Sequence, residues 1–180
     1  MKINWSSINW PAVLKRVKRT QGRIFRMSLE NKREPMRFLQ RKLIRSLDAK
    51  LMAVKIVTTD NKRKNTPGVD KNIDLEPYEK AQLVANLKLD GTVAPIRRVW
   101  IPHKYGRKEK RRLAIPIIAD RAKQALTVLA LEPEWEAKFD WNSYGFRPGR
   151  SCHDAIEAIF QNIHYTGKAN FQPKYVLYTD

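Results

Sequence analysis

From Val13 to Val54 apolar side chains return every three or four positions, and the places between them are filled by lysine and arginine with almost no acid to answer them. That pattern leaves few folds open: the segment must be helical, with one seam turned inward and a basic face turned to water. Val13, Val17, Ile24 and Met27 form one stripe after Asn9-Trp10-Pro11, where Pro11 suits a first helical turn because its missing N–H has no partner there. Met36, Leu39, Leu43, Leu47, Leu51 and Val54 form a second stripe, read as a single helix following Pro35. Lys15, Arg16, Lys18, Arg19 and Arg23 fall between the first stripe's positions, and Arg37, Arg41, Lys42 and Arg45 fall mostly off the second.

Residues 1–64 hold 18 Lys and Arg against four acids (Glu30, Glu34, Asp48, Asp60), a local net of +14 within a chain whose total is +18. One charged helical face is ordinarily a solvated face. Two in succession with so few acids attract a polyanion, by charge and without sequence readout. Nucleic acid is the expected partner, with an anionic membrane surface the weaker alternative, and no apolar run approaches the roughly 18 residues a span requires. The N-terminus lacks the apolar core of a signal peptide, and the single cysteine, Cys152, excludes an intrachain disulfide, so a cytoplasmic protein is expected.

Beyond residue 60 the chain changes character. Residues 61–70 read as a loop through Pro67-Gly68, and residues 77–89 as a short helix with Leu83 and Leu87 inward and Gly91 past its end. Residues 95–102 and 111–116 read as the two arms of a hairpin across a charged turn at 105–110. A helix resumes near residues 119–120 with Ala122, Ala125, Leu126, Leu129 and Ala130 as its packing face, and Glu132-Pro133 is expected to interrupt it. Residues 142–151 form a loop. A helix with Ala155, Ile156, Ile159, Phe160 and Ile163 inward follows, then a short apolar strand at 175–178. The five tryptophans are expected as core and helix anchors, and His103, His153 and His164 form no set with metal-ligand spacing.

Thr66-Pro67-Gly68-Val69-Asp70, then Arg97-Arg98-Val99-Trp100-Ile101-Pro102 with Arg111-Arg112-Leu113-Ala114-Ile115-Pro116, then Asp120-Arg121 with Gln124-Ala125-Leu126, then Asn142-Ser143-Tyr144-Gly145-Phe146-Arg147-Pro148-Gly149-Arg150-Ser151 follow one another in order. The last block is specific, and the series closely resembles the N-terminal part of group II intron-encoded reverse transcriptases and maturases. The resemblance covers essentially the whole chain, though the first 60 residues match in character more than by motif.

That resemblance implies an α+β fold. Its parts are a basic helical N-terminal extension over residues 1–92, then fingers over 93–180 with a small antiparallel sheet, connecting helices and one incomplete palm strand at the C-terminus. It implies RNA-directed DNA polymerisation only when completed by the remaining palm and thumb. Its partners would be group II intron RNA, an RNA template with a DNA primer, dNTP and a downstream palm–thumb polypeptide. Asp180 would be the first catalytic carboxylate and a ligand to Mg2+. Two-metal nucleotidyl transfer needs several converging carboxylates, and the Tyr-X-Asp-Asp turn that supplies the others occurs nowhere in these 180 residues, so the chain alone is expected to be inactive.

Matching positions in the family assign Arg97 and Arg111 to the triphosphate of the incoming nucleotide, a task suited to a planar bidentate fork. The family's Ile-Pro-Lys reads here as Ile101-Pro102-His103-Lys104. Either Lys104 serves in its place or the turn is rearranged. Arg147, Arg150 and Ser151 would lie against template and nucleotide, with the loop's aromatics inward and its arginines outward. Lys15, Arg16, Lys18, Arg19, Arg23, Arg37, Arg41, Lys42 and Arg45 are the RNA-binding set. A stand-alone basic RNA-binding remnant without catalytic activity is the alternative.

Overall fold

The computed structural model describes residues 4–61, 66–71, 74–102 and 110–163. They form six α-helices and one two-stranded antiparallel sheet, an α+β arrangement as expected. The palm strand expected at 175–178, the hairpin tip and Asp180 lie outside the described residues.

Helix α1 spans Trp10–Leu29, capped by the Asn9 side chain, which accepts from the Ala12 N–H at 3.1 Å. It ends where Asn31 adopts φ +54, the left-handed turn in which the Lys32 N–H reaches the Met27 carbonyl (2.9 Å) and the Asn31 N–H reaches the Ser28 carbonyl (3.0 Å). The chain thus reverses directly into α2, Arg33–Arg45. The second apolar stripe is not one helix: it breaks at Ser46, and α3 runs Leu47–Lys55. Ser46 is extended (ψ 141), donates to the Leu43 carbonyl at 2.7 Å and accepts from the Ala49 N–H, so one hydroxyl ends α2 and starts α3. The break swings Leu47 outward (41% exposed) while Leu51, Ala53 and Val54 stay in the core. A π-helical turn, Ile56–Asp60, continues from α3.

Helix α4 covers Pro77–Asn86, strands β1 and β2 cover Arg97–Pro102 and Lys110–Ile115, helix α5 covers Ile118–Glu136, and helix α6 covers Cys152–Ile163. Helix α5 does not stop at Pro133 as expected. Proline lacks the N–H that would bind the carbonyl four residues back, and here that carbonyl, Leu129 O, accepts instead from the Gln21 side chain of α1 at 2.8 Å. Next to it Gln40 of α2 donates to Ala130 O (3.3 Å) and to the Glu134 carboxylate (2.8 Å), and Ser28 donates to Glu134 O. The carbonyl that the proline leaves open and two others near the C-terminal end of α5 thus become attachment points for α1 and α2.

Around these bonds α1, α2 and α3 pack on α5, burying Val17, Ile24, Leu43, Val54, Ala122, Leu126 and Ala130 almost completely. Each large apolar side chain so buried contributes about 1.5–3 kcal/mol. Val84 and Leu87 close the core from α4. Of the five tryptophans only Trp5 and Trp10 act as core anchors, edge to face at 5.0 Å with Lys55 over Trp10; Trp100, Trp135 and Trp141 are more than half exposed.

Contacts gather the chain into two compact units, residues 1–138 and 139–180. Residues 92 and 93, where the resemblance implies a boundary, both lie in the first unit. In the second unit α6 carries Ile156, Ile159 and Ile163 at more than half exposure among the described residues, where the sequence expected them inward.

Replacing Gln21 by Leu leaves the Leu129 carbonyl without its donor and is expected to cost about 1–2 kcal/mol, read as a lower urea midpoint. The Glu134 carboxylate is held below its usual range by Lys138, with Gln40 adding to the effect against partial burial. A depressed carboxylate stabilises the fold above its unfolded pKa and ceases to as pH falls through the folded one. The stability gap between wild type and Glu134→Gln should therefore narrow on acidification from pH 7 to pH 3.

Candidate nucleic-acid interface

At 100° per residue, Val13, Val17, Ile24 and Ser28 fall on one side of α1, while Lys15, Arg16, Lys18, Arg19, Arg23 and Arg26 spread over the opposite side. On α2, Met36, Leu39, Gln40 and Leu43 are buried, and Arg37, Arg41, Lys42 and Arg45 face water. All nine members of the expected RNA-binding set are exposed.

They are not equivalent. Arg16 grips both oxygens of Asp48 at 2.7 Å, a bidentate pair that ties α1 to the start of α3 and neutralises the charge. Arg37 lies 3.6 Å from Glu34. Lys15, Lys18, Arg19, Arg23, Arg41, Lys42 and Arg45 enter no ion pair among the described residues. Seven cations on two adjacent helices have no acid to answer them.

The hairpin presents a second basic element. Its register pairs Arg97 with Ile115, Val99 with Leu113 and Ile101 with Arg111. Side chains alternate across a strand, so Arg97 and Arg111 share one face with Val99, Leu113 and Ile115. The two arginines stand about 13 Å apart along the strands, four residues at about 3.3 Å each. Trp100 and Arg112 pair on the other face, with the guanidinium 5.8 Å from the ring centre. Arg111 borders a cleft of about 1080 Å3 between the hairpin, the π-helical turn and α5, lined also by Ile56, Val57, Leu113, Arg121 and Gln124.

Arg97 reaches back to the Pro67 carbonyl at 3.4 Å, while Arg121 donates to the Thr66 carbonyl and, at 2.9 Å, to Pro116 O. The Thr66-Pro67-Gly68 loop is thereby drawn onto the start of α5. A side chain at residue 68 would place its Cβ 2.9 Å from the Ile117 backbone, so glycine is required for this approach. Buried Asp120 accepts from the Ala94 N–H at 2.9 Å, and Lys123 binds Asp90 and the Thr92 carbonyl, fastening the segment before β1. Asp120, Arg121 and Lys123 were not among the expected site residues. Two charged residues opening a helix beside a Pro-rich turn were the available signal.

In the second unit the order of the loop is inverted from expectation. Phe146 is fully exposed at φ +60, and Arg147 is buried, donating to Asp140 O (2.6 Å) and Ser143 O (2.8 Å) beneath the Phe139 ring. The guanidinium satisfies carbonyls of an irregular loop that an aromatic ring could not. Arg150 donates to Trp141 O and sits 5.4 Å from the Tyr144 ring centre. Ser151 caps α6: its N–H and hydroxyl both donate to Asp154, whose carboxyl is held below its usual range by them. Lys104 and Asp180 lie outside the described residues, and no group of three potential metal ligands occurs among the described ones.

Arg121→Ala releases the Thr66 and Pro116 carbonyls and should lower the melting temperature by several degrees. Arg97→Ala, whose one bond is long and exposed, should leave it within about 0.5 kcal/mol of wild type in denaturant titration.

The described N-terminal domain of reverse transcriptase matches residues 5–87. The chain is 38% identical over 109 residues to protein YkfC of Escherichia coli K12, covering 57% of this chain and 28% of that protein. It is 37% identical over 102 residues to the group II intron-encoded protein LtrA of Lactococcus lactis subsp. cremoris, covering 55% and 17%. It is 27% identical over 165 residues to maturase-like protein 1 of Euglena longa, covering 89% and 36%. The chain thus spans about a third or less of the length of these relatives. Basic helices, arginine hairpin and Pro-Gly loop, in that order and with these relatives, make the chain similar to the N-terminal part of group II intron-encoded reverse transcriptases and maturases.

Proposed function

We propose that this chain binds group II intron RNA through the basic face of α1 and α2 and forms the fingers of an RNA-directed DNA polymerase. The observation that carries the first part is the set of seven cations, on one pair of helices, that no acid among the described residues answers. Such a surface holds phosphates by charge and follows the shape of a folded RNA. The resemblance to that family supports the second part, with Arg97 and Arg111 toward the dNTP, Lys104 serving the same nucleotide, and Arg150 toward the template. Arg147 and Ser151 then act by holding their loop and α6. Mg2+ would be held by Asp180 together with the carboxylates of a Tyr-X-Asp-Asp turn, which these 180 residues do not contain. A cytoplasmic setting, where RNA, primer and dNTP meet, belongs to the same proposal.

Binding of intron RNA is expected to weaken with salt at a log–log slope of up to about −5, given seven phosphate contacts at roughly 0.7 each. The double variant Arg19→Ala/Arg41→Ala should reduce that slope by about 1.4. Equal affinity for intron RNA and heparin at physiological salt would overturn the intron assignment. Primer extension on an RNA template, with and without the downstream fragment and with Asp180→Ala in that mixture, tests the polymerase assignment. Extension only in the mixture, abolished by the substitution, is expected; no extension in any mixture leaves RNA binding alone.

A further inference from the structure

Where α1 turns into α2 a groove of about 350 Å3 opens between the two helices. Its floor is apolar, built from buried Leu39 and half-buried Met27, and one wall is Phe38, which leaves 59% of its surface in water. Phe38 falls between Met36 and Leu39 and off the apolar seam, so the core does not require it. The rim is cationic: Arg23 and Arg26 border the groove, and among the described residues Arg23 has no ion pair while Arg26 makes one long contact to the Gly22 carbonyl at 3.4 Å. Glu30, the acid here, is already paired with Lys32 at 2.7 Å.

A hydrophobic slot of this size sits at the lower end of the roughly 300–1,000 Å3 typical of ligand sites. Apolar peptide would answer the floor and leave two guanidinium forks without anions. A nucleotide answers both, since it carries a flat apolar ring and a phosphate on one unit.

Gly22 adds an observation of a different kind. It lies within α1, on the basic side next to Arg26, and a Cβ there would meet nothing within 4 Å. Glycine weakens a helix, and neither packing nor a positive φ calls for one at this position. A gap in the basic ridge lets a ribose-phosphate backbone come close to the helix.

We infer that the α1–α2 groove is a subsite for one unpaired nucleotide of RNA, its base against Phe38 and over Leu39, its phosphate held by Arg23 and Arg26, its backbone passing Gly22. This rests on the proposed RNA binding and goes beyond it. The rest of the basic face counts phosphates, whereas this groove distinguishes unpaired from paired RNA.

The test uses the 180-residue chain and two RNAs of equal charge, a hairpin with an unpaired loop carrying 2-aminopurine and a blunt duplex. Phe38→Ala should weaken loop RNA roughly tenfold and remove the fluorescence change, leave duplex affinity and the salt slope unchanged, and be rescued by Phe38→Trp. Gly22→Ala should raise the melting temperature yet weaken loop RNA several-fold. Arg23→Ala should weaken both RNAs and lower the salt slope by about one. If wild type binds both RNAs with salt-dependent affinity and Phe38→Ala changes neither, or changes both equally, the subsite is overturned while RNA binding stands. If wild type binds neither, the RNA reading falls and the subsite with it.

Discussion

Helix α5 is the member on which the rest of the first unit depends, and its dependence is on backbone oxygens. Pro133 removes one N–H from the helix interior, which on its own would leave a carbonyl open in a partly buried place. Gln21 fills that position from α1, Gln40 and Ser28 serve the next carbonyls from α2 and α1, and the helix passes through its proline intact. A polar contact of this kind contributes about 1 kcal/mol, far less than the apolar burial around it. Its consequence is register: an apolar seam tolerates sliding, whereas a side-chain amide aimed at one carbonyl does not.

The other end of the same helix organises the hairpin and the Pro-Gly loop. Asp120, Arg121 and Lys123 occupy its first turn and take hold of Ala94, Thr66, Pro116 and Thr92. One rigid rod thus carries the basic helices along its C-terminal half and the hairpin with its Pro-Gly loop at its N-terminus. A basic surface built on secondary structure in this way holds its charges in place before any ligand arrives. Charges that are spent on the fold, such as Arg16 on Asp48 and Arg147 on its own loop, are separated from those left for a ligand.

Much of this was legible in the chain. The apolar spacing of residues 13–27 requires a helix with its cations outward. The β-branched and aromatic residues of 95–102 and 111–116 point to a hairpin, while its register, with Arg97 and Arg111 on one face, is known only from the structure. Ser46 hid its break because the three- and four-residue spacing of the second stripe runs unbroken across it. Only the hydroxyl's two bonds, one to each helix, reveal two helices instead of one. Pro133 misled in the other direction, since a sequence shows the lost N–H but not the Gln21 amide, 108 positions away, that makes the loss harmless.

By itself the sequence determined the chemistry available: a surplus of cations at one end, two amphipathic stripes, an arginine-bearing hairpin, and motif blocks in the order of one family. Those follow from composition and short-range period, which act within a few residues. The tertiary structure alone decided which charges remain for a partner. Whether Arg16 meets Asp48, whether Arg147 turns inward while Phe146 turns out, and whether a groove opens beside Phe38 depend on side chains meeting across distances in sequence that no local pattern records.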